Sequence, residues 1–69
     1  MNIVAVLALQ ADVFVDASGS HYTVEAVFFE DGYFRAEKDG EEFEIEFNDV
    51  DLNSEKFMKL TDLVPADFQ

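Results

Sequence analysis

Residues 42–47 alternate strictly between acid and apolar: Glu42, Phe43, Glu44, Ile45, Glu46, Phe47. Period-two alternation is the pattern of a half-buried β-strand, here with one apolar face and one face of carboxylates. Residues 3–9 are apolar at every position. Their Val and Ile content favours strand over helix, and a run apolar on both faces predicts a central strand. Residues 12–17 predict its continuation or a second strand, and Ser18-Gly19-Ser20 a turn. Residues 21–30, rich in Tyr, Thr, Val and Phe, predict a further strand.

Two Asp-Gly pairs follow, Asp31-Gly32 and Asp39-Gly40, each between strand-like residues. Asp-Gly in this setting is a strong hairpin signal, because a type I′ turn needs positive φ at both central positions. With two-residue turns, Phe29 faces Phe34, Val27 faces Ala36 and Glu25 faces Lys38. The second hairpin then sets Ala36 opposite Phe43 and Phe34 opposite Ile45. Apolar meets apolar throughout, and the one charged pair is of opposite sign. The two registers agree, which predicts a three-stranded meander. On its other face Tyr33 lies opposite Glu46, Arg35 opposite Glu44 and Glu37 opposite Glu42, with Tyr22, Val24, Ala26 and Phe28 continuing that face.

Past Asn48 the pattern changes. Asn53 or Ser54 can cap a helix, Phe57, Leu60 and Val64 fall on one helical face, and Glu55 and Lys59 form a favourable i,i+4 pair. Pro65 ends the segment. A short helix over residues 54–63 is expected. The fold class is then a β-rich α+β fold: a small antiparallel sheet or SH3-like partly open barrel of four to five strands, with one short C-terminal helix. The strand-turn-strand-turn-strand order over residues 22–52 resembles small SH3-like barrels, including the Tudor class. That resemblance rests on turn chemistry. Tudor-type binding uses an aromatic cage, which Tyr33 and Phe28 on one face do not make, so no function is carried over.

Sixty-nine residues make one domain, 1–69, with no room for a second core. A chain of this size buries only about 60% of its unfolded surface and is stable by a narrow margin. Eight Phe and two Tyr compensate. Without cysteine there is neither a disulfide framework nor a thiolate metal site. The apolar run is far shorter than the roughly 20 residues of a membrane span, and a signal peptide would need a positive leading segment. A cytoplasmic protein is the expectation.

Charge changes the picture most. The net charge is −12, beyond the magnitude of about 2–8 usual for a small domain. Residues 37–51 hold eight carboxylates (Glu37, Asp39, Glu41, Glu42, Glu44, Glu46, Asp49, Asp51) against one lysine. Direct binding to nucleic acid is disfavoured, since phosphates repel the chain and only Arg35, Lys38, Lys56 and Lys59 oppose this. Anionic membranes are disfavoured for the same reason. The acidic run is either a solvated edge strand that prevents aggregation or a surface complementary to a basic groove.

Other candidates are weaker. Asp49, Asp51, Asn53 and Glu55 match the first half of a Ca²⁺ loop, but its sixth and twelfth positions are Ser54 and Leu60 instead of Gly and Glu. No metal site follows. His21 with Ser20, Ser18 and Asp16 lacks the geometry that defines a triad, and so small a domain has little room for a substrate pocket. The chain is read as no enzyme and as needing no cofactor.

The expected function is that of a small acidic interaction protein that inhibits or modulates a basic nucleic-acid-binding protein. In size and charge it is similar in type to phage-encoded inhibitors that act as DNA mimics. Glu37, Glu42, Glu44 and Glu46 would form the anionic strip, and Asp39, Glu41, Asp49 and Asp51 its extension. Tyr33 and Phe28 would be the apolar anchor, with Arg35 paired to Glu44. Two alternatives stand beside it: a small-ligand-binding or sequestering protein with its site at a subunit interface, and a structural accessory domain. Cover for residues 3–9 by a second copy would make a homodimer.

Overall fold

Asn2 decides the first element. In the computed structural model, which describes residues 2–62, its side-chain oxygen accepts a hydrogen bond from the Val4 amide at 2.9 Å. Ile3–Gln10 then forms an α-helix, α1. Residues 3–9 are therefore helix and not the expected central strand. The reason is cover. A strand apolar on both faces needs a layer on each side, whereas the same residues coiled as a helix bury one stripe. That stripe is Val4, Ala5 and Ala8, and the small alanines let the helix settle close to the sheet. An Asn cap and an Ala/Leu-rich interior are helix signals that outweigh three β-branched side chains, Ile3, Val4 and Val6. Among the described residues no helix is long and apolar enough to cross a membrane.

Five strands follow: β1 (Val13–Val15), β2 (His21–Phe28), β3 (Tyr33–Lys38), β4 (Glu41–Glu46) and β5 (Lys56–Met58). Among the described residues they form one open antiparallel sheet in the order β4-β3-β2-β1-β5, a small β-rich α+β fold with one short helix. That helix lies at the N-terminus. The expected C-terminal helix over 54–63 does not form over its described part, 54–62, which holds β5 and a single 3₁₀ turn, Leu60–Asp62. Val64 and Pro65 lie outside the described residues. Tertiary packing overrides the helical spacing here. Without β5, β1 would be a bare edge. With it, Phe57 pairs with Phe14 and packs at ring-centroid distances of 5.2 Å from Phe14 and 5.6 Å from Phe34. Asp51 shapes the approach, its carbonyl accepting from the Ser54 and Glu55 amides at 2.9 and 2.7 Å.

The β3–β4 hairpin has the expected register, from Lys38 opposite Glu41 to Tyr33 opposite Glu46. Its two-residue turn carries φ of 55° at Asp39 and 84° at Gly40, the left-handed pair a type I′ turn demands. The β2–β3 hairpin departs from expectation. Phe28, where the two-residue turn would have put Glu30, begins the pairing opposite Tyr33, so the loop spans four residues, closed by the Gly32 amide on the Phe28 carbonyl at 2.9 Å. Val24 pairs with Ala36 and Ala26 with Arg35, which leaves Glu25 as a β-bulge.

The bulge slips the inside–outside phase of β2 by one residue. Tyr22 and Val24, expected on the outer face, turn inward and pack on the core. Ala26 and Phe28 stay outside, opposite Arg35 and Tyr33. The core between α1 and the sheet centres on Phe14 and Phe34, both essentially sealed from solvent, with Ala36 and Phe47. Because Ala36 is small, Tyr22 of β2 and Phe43 of β4 meet edge-to-face at 5.4 Å.

Candidate interaction face

The outer face of the sheet takes its chemistry from β3 and β4, where odd positions of one strand meet even positions of the other. Register sets Tyr33 against Glu46, Arg35 against Glu44 and Glu37 against Glu42. On β2 the bulge adds Glu25 to this face, beside Arg35. Five carboxylates (Glu25, Glu37, Glu42, Glu44 and Glu46) therefore share this face with one guanidinium.

Arg35 was expected to pair with Glu44. Instead its Nε lies 3.7 Å from Glu25 and 3.8 Å from Glu42. Its side chain lies between Glu25 of β2 and Glu42 of β4 and also stacks on a ring, with its guanidinium carbon 5.6 Å from the Phe28 centroid. Likewise Glu25 does not meet Lys38. That lysine is on the other face, 3.2 Å from Ser20 Oγ and 5.6 Å from the Tyr22 ring centroid.

A hydrogen bond to the Glu42 carboxyl raises the pKa of Glu25 above the usual glutamate value. Partial burial and the Glu42 charge push the same way, and Arg35 opposes them. Two carboxylates this close cannot both be comfortably ionised. Glu37 finds separate relief, accepting from the Gly40 amide at 3.2 Å. At one end of the face Phe28 and Tyr33 stack with centroids 4.8 Å apart and planes inclined by 23°. This aromatic step borders the charged field.

The ten residues singled out in the sequence divide in two. Phe28, Tyr33, Glu37, Glu42, Glu44 and Glu46 share the outer face. Asp39 and Glu41 sit at the exposed hairpin tip, with Glu41 opposite Lys38. Asp49 lies in the 3₁₀ turn Phe47–Asp49 beyond the end of β4. Asp51 is committed to the turn that leads into β5, where its carboxylate accepts from the Asn53 amide at 2.9 Å and Ser54 Oγ at 3.2 Å. Glu25 is the member missed in sequence. Its signal was the spacing of Tyr22, Val24 and Val27, two residues and then three, which a regular strand cannot keep on one face.

Two other constellations are structural. Asp16 gathers the β1–β2 turn, accepting from the Ser18 amide, Ser18 Oγ, the Ser20 amide and the Tyr22 hydroxyl, all within 2.9 Å. These bonds, led by that from Ser18 Oγ, hold its pKa at about 2. His21 is exposed at the start of β2, while its neighbour Tyr22 takes the Asp16 contact. A shallow groove of about 170 Å³ runs between the end of α1 and β5, lined by Leu7, Gln10, Ala11, Phe57, Met58 and Lys59. It falls short of the roughly 300 Å³ at which small-molecule pockets begin. No family model, curated protein or solved structure matches this chain.

Proposed function

We propose that this chain is a small acidic protein of the cytoplasm that inhibits or modulates a basic nucleic-acid-binding protein by offering its outer sheet face in place of nucleic acid. The observation that carries this reading is the face itself: five carboxylates from three adjacent strands on one face with a single arginine, and the Phe28–Tyr33 step at one end. Along β4 alone, carboxylates recur about every 6.8 Å, twice the rise per residue. One strand of DNA carries a charge per roughly 3.4 Å of axis. The strand by itself is too sparse for a phosphate mimic. Glu37 and Glu25 supply further charge from strands spaced about 4.8 Å apart, which turns the row into a field.

Complementary charge of this kind chiefly raises the association rate and weakens with salt. The aromatic step would give the contact an apolar anchor of the sort that dominates interface energetics. The chemistry calls for no cofactor, metal ion or catalytic step, and neither nucleic acid nor a membrane would be bound directly.

The test uses the purified protein as bait in a lysate of its source cells at low salt. A basic nucleic-acid-binding protein should be retained, released by salt and displaced by added DNA. Changing Glu42, Glu44 and Glu46 together to Lys, with folding checked by circular dichroism, should abolish retention. Undiminished retention by that variant would overturn the reading.

A self-association reading rests on a separate observation. Ile3 and Leu9 of α1 are 57% and 60% exposed, and residues 2–11 carry no charge. In a chain of net charge −12, two copies would meet there with the least repulsion. Sedimentation of the protein against Leu9→Glu tests it, since a dimer would dissociate in the variant.

A further inference from the structure

Among the described residues, β4 ends the sheet and pairs only with β3. One bond fixes the parity of that pairing: the Phe47 amide donates to the Gly32 carbonyl at 2.9 Å. In an antiparallel ladder, hydrogen-bonded and non-hydrogen-bonded pairs alternate. Stepping from the Gly32 and Phe47 pair along the register, the bonded pairs are Phe34 with Ile45, Ala36 with Phe43 and Lys38 with Glu41. Glu42, Glu44 and Glu46 fall on the non-bonded pairs, so their backbone N–H and C=O groups point away from β3, to the open edge. The three glutamates that β4 gives to the acidic face are the three whose main-chain groups have no strand partner among the described residues.

Edge strands are commonly blunted by a bulge, a proline, an internal lysine or brevity. β4 has none of these: it is six residues long, its register with β3 is unbroken, and it reads Glu-Glu-Phe-Glu-Ile-Glu. Its protection is charge alone. A second copy of β4 would set glutamate against glutamate and be repelled. A strand of opposite charge meets no such barrier.

We propose that the edge of β4 is a docking site for an extended basic segment of a partner, added as a sixth strand. Its Lys or Arg side chains at alternate positions would lie across from Glu42, Glu44 and Glu46. Its apolar side chains would lie beside Phe43 and Ile45, which are half-buried on the other face. Main-chain bonds hold such a strand, and alternate side chains select it. The inference rests on the basic-partner reading above and specifies how that partner is gripped.

The experiment titrates the intact protein with a synthetic peptide of alternating lysine and valine, monitored by backbone amide resonances and hydrogen exchange. Two controls are a peptide of equal composition with its lysines and valines in blocks, and the alternating peptide N-methylated at the amides that would face β4. The alternating peptide should slow exchange at the Glu42, Glu44 and Glu46 amides. The block peptide should bind about tenfold more weakly, the combined effect of three charge pairs out of phase. N-methylation should remove the exchange protection. Equal binding of all three peptides with no protection at those amides overturns strand addition, leaving the acidic face as a diffuse electrostatic surface. The two readings separate cleanly. Peptide pairing together with retention of the partner by the Lys triple variant would uphold the edge site and remove the partner reading. Loss of retention without peptide pairing would do the reverse.

Discussion

Glu25 of β2 and Glu42 of β4 approach the same atom, Nε of Arg35 on the strand between them, at 3.7 and 3.8 Å. A regular β2 would have turned Glu25 to the core side. The bulge converts what would have been a charge to bury into part of the acidic face, at the cost of crowding two carboxylates.

That crowding sets a pH dependence. Glu25 has its pKa raised in the folded state, so the stability linked to its protonated form is present below its unfolded pKa of about 4.5 and lost as pH rises through the folded value. At pH 7 the ionised pair opposes folding. Glu25→Gln should therefore raise the melting temperature at pH 7 and leave it nearly unchanged at pH 4. Thermal denaturation of both proteins at the two pH values checks this, and a lower melting temperature at pH 7 would show that Glu25 acts mainly as a partner for Arg35.

Asp16 runs the other way. Its pKa is lowered to about 2 from 3.8, so its contribution is present above pH 3.8 and disappears as pH falls through 2. Asp16→Ala should lower the melting temperature at neutral pH by releasing four hydrogen bonds of the β1–β2 turn. The difference from the parent protein should shrink toward pH 2. A denaturation series from pH 7 to 2 measures it.

Phe34 contacts the rings of Phe14, Phe47 and Phe57 and is fully buried. Phe34→Ala should cost about 3–5 kcal/mol through lost burial and the cavity left behind. Small domains have little more than that in total, so the variant should be largely unfolded at 25 °C. Near-ultraviolet circular dichroism and urea titration would show it.

For α1, the Val6 amide donates to the Asn2 carbonyl at 3.2 Å, and the Asn2 side chain caps the first turn. Val6→Pro removes that bond inside the helix and should cost about 3 kcal/mol. Asn2→Ala removes only the cap and should cost about 1 kcal/mol. Far-ultraviolet circular dichroism with urea titration should rank the two in that order.

Local chemistry was sufficient where the chain closes on itself quickly. Asp39-Gly40 demanded a left-handed pair of residues, and the alternation on either side admitted a single register, so the β3–β4 hairpin and four of its outer-face carboxylates were legible residue by residue. Asp31-Gly32 misled because a four-residue loop satisfies the same glycine as a two-residue one. The choice between them lay in the apolar phase of β2, where Tyr22, Val24 and Val27 face inward only if Glu25 bulges.

The ends of the chain were decided by partners distant in sequence. Residues 3–9 are apolar enough for either a central strand or a helix. The sheet leaves one face to cover, and a helix covers it with Val4, Ala5 and Ala8. Lys56–Met58 has helical spacing around it, yet the bare edge of β1 and the contact between Phe57 and Phe14 hold it extended. The sequence by itself determined the charge, the alternation and the tight turn, because each depends on neighbours a few bonds away. Only the tertiary structure decided which segments became helix, which edge stayed open and that Glu25 joined the acidic face, because each depends on apolar surface that must be buried against residues far along the chain.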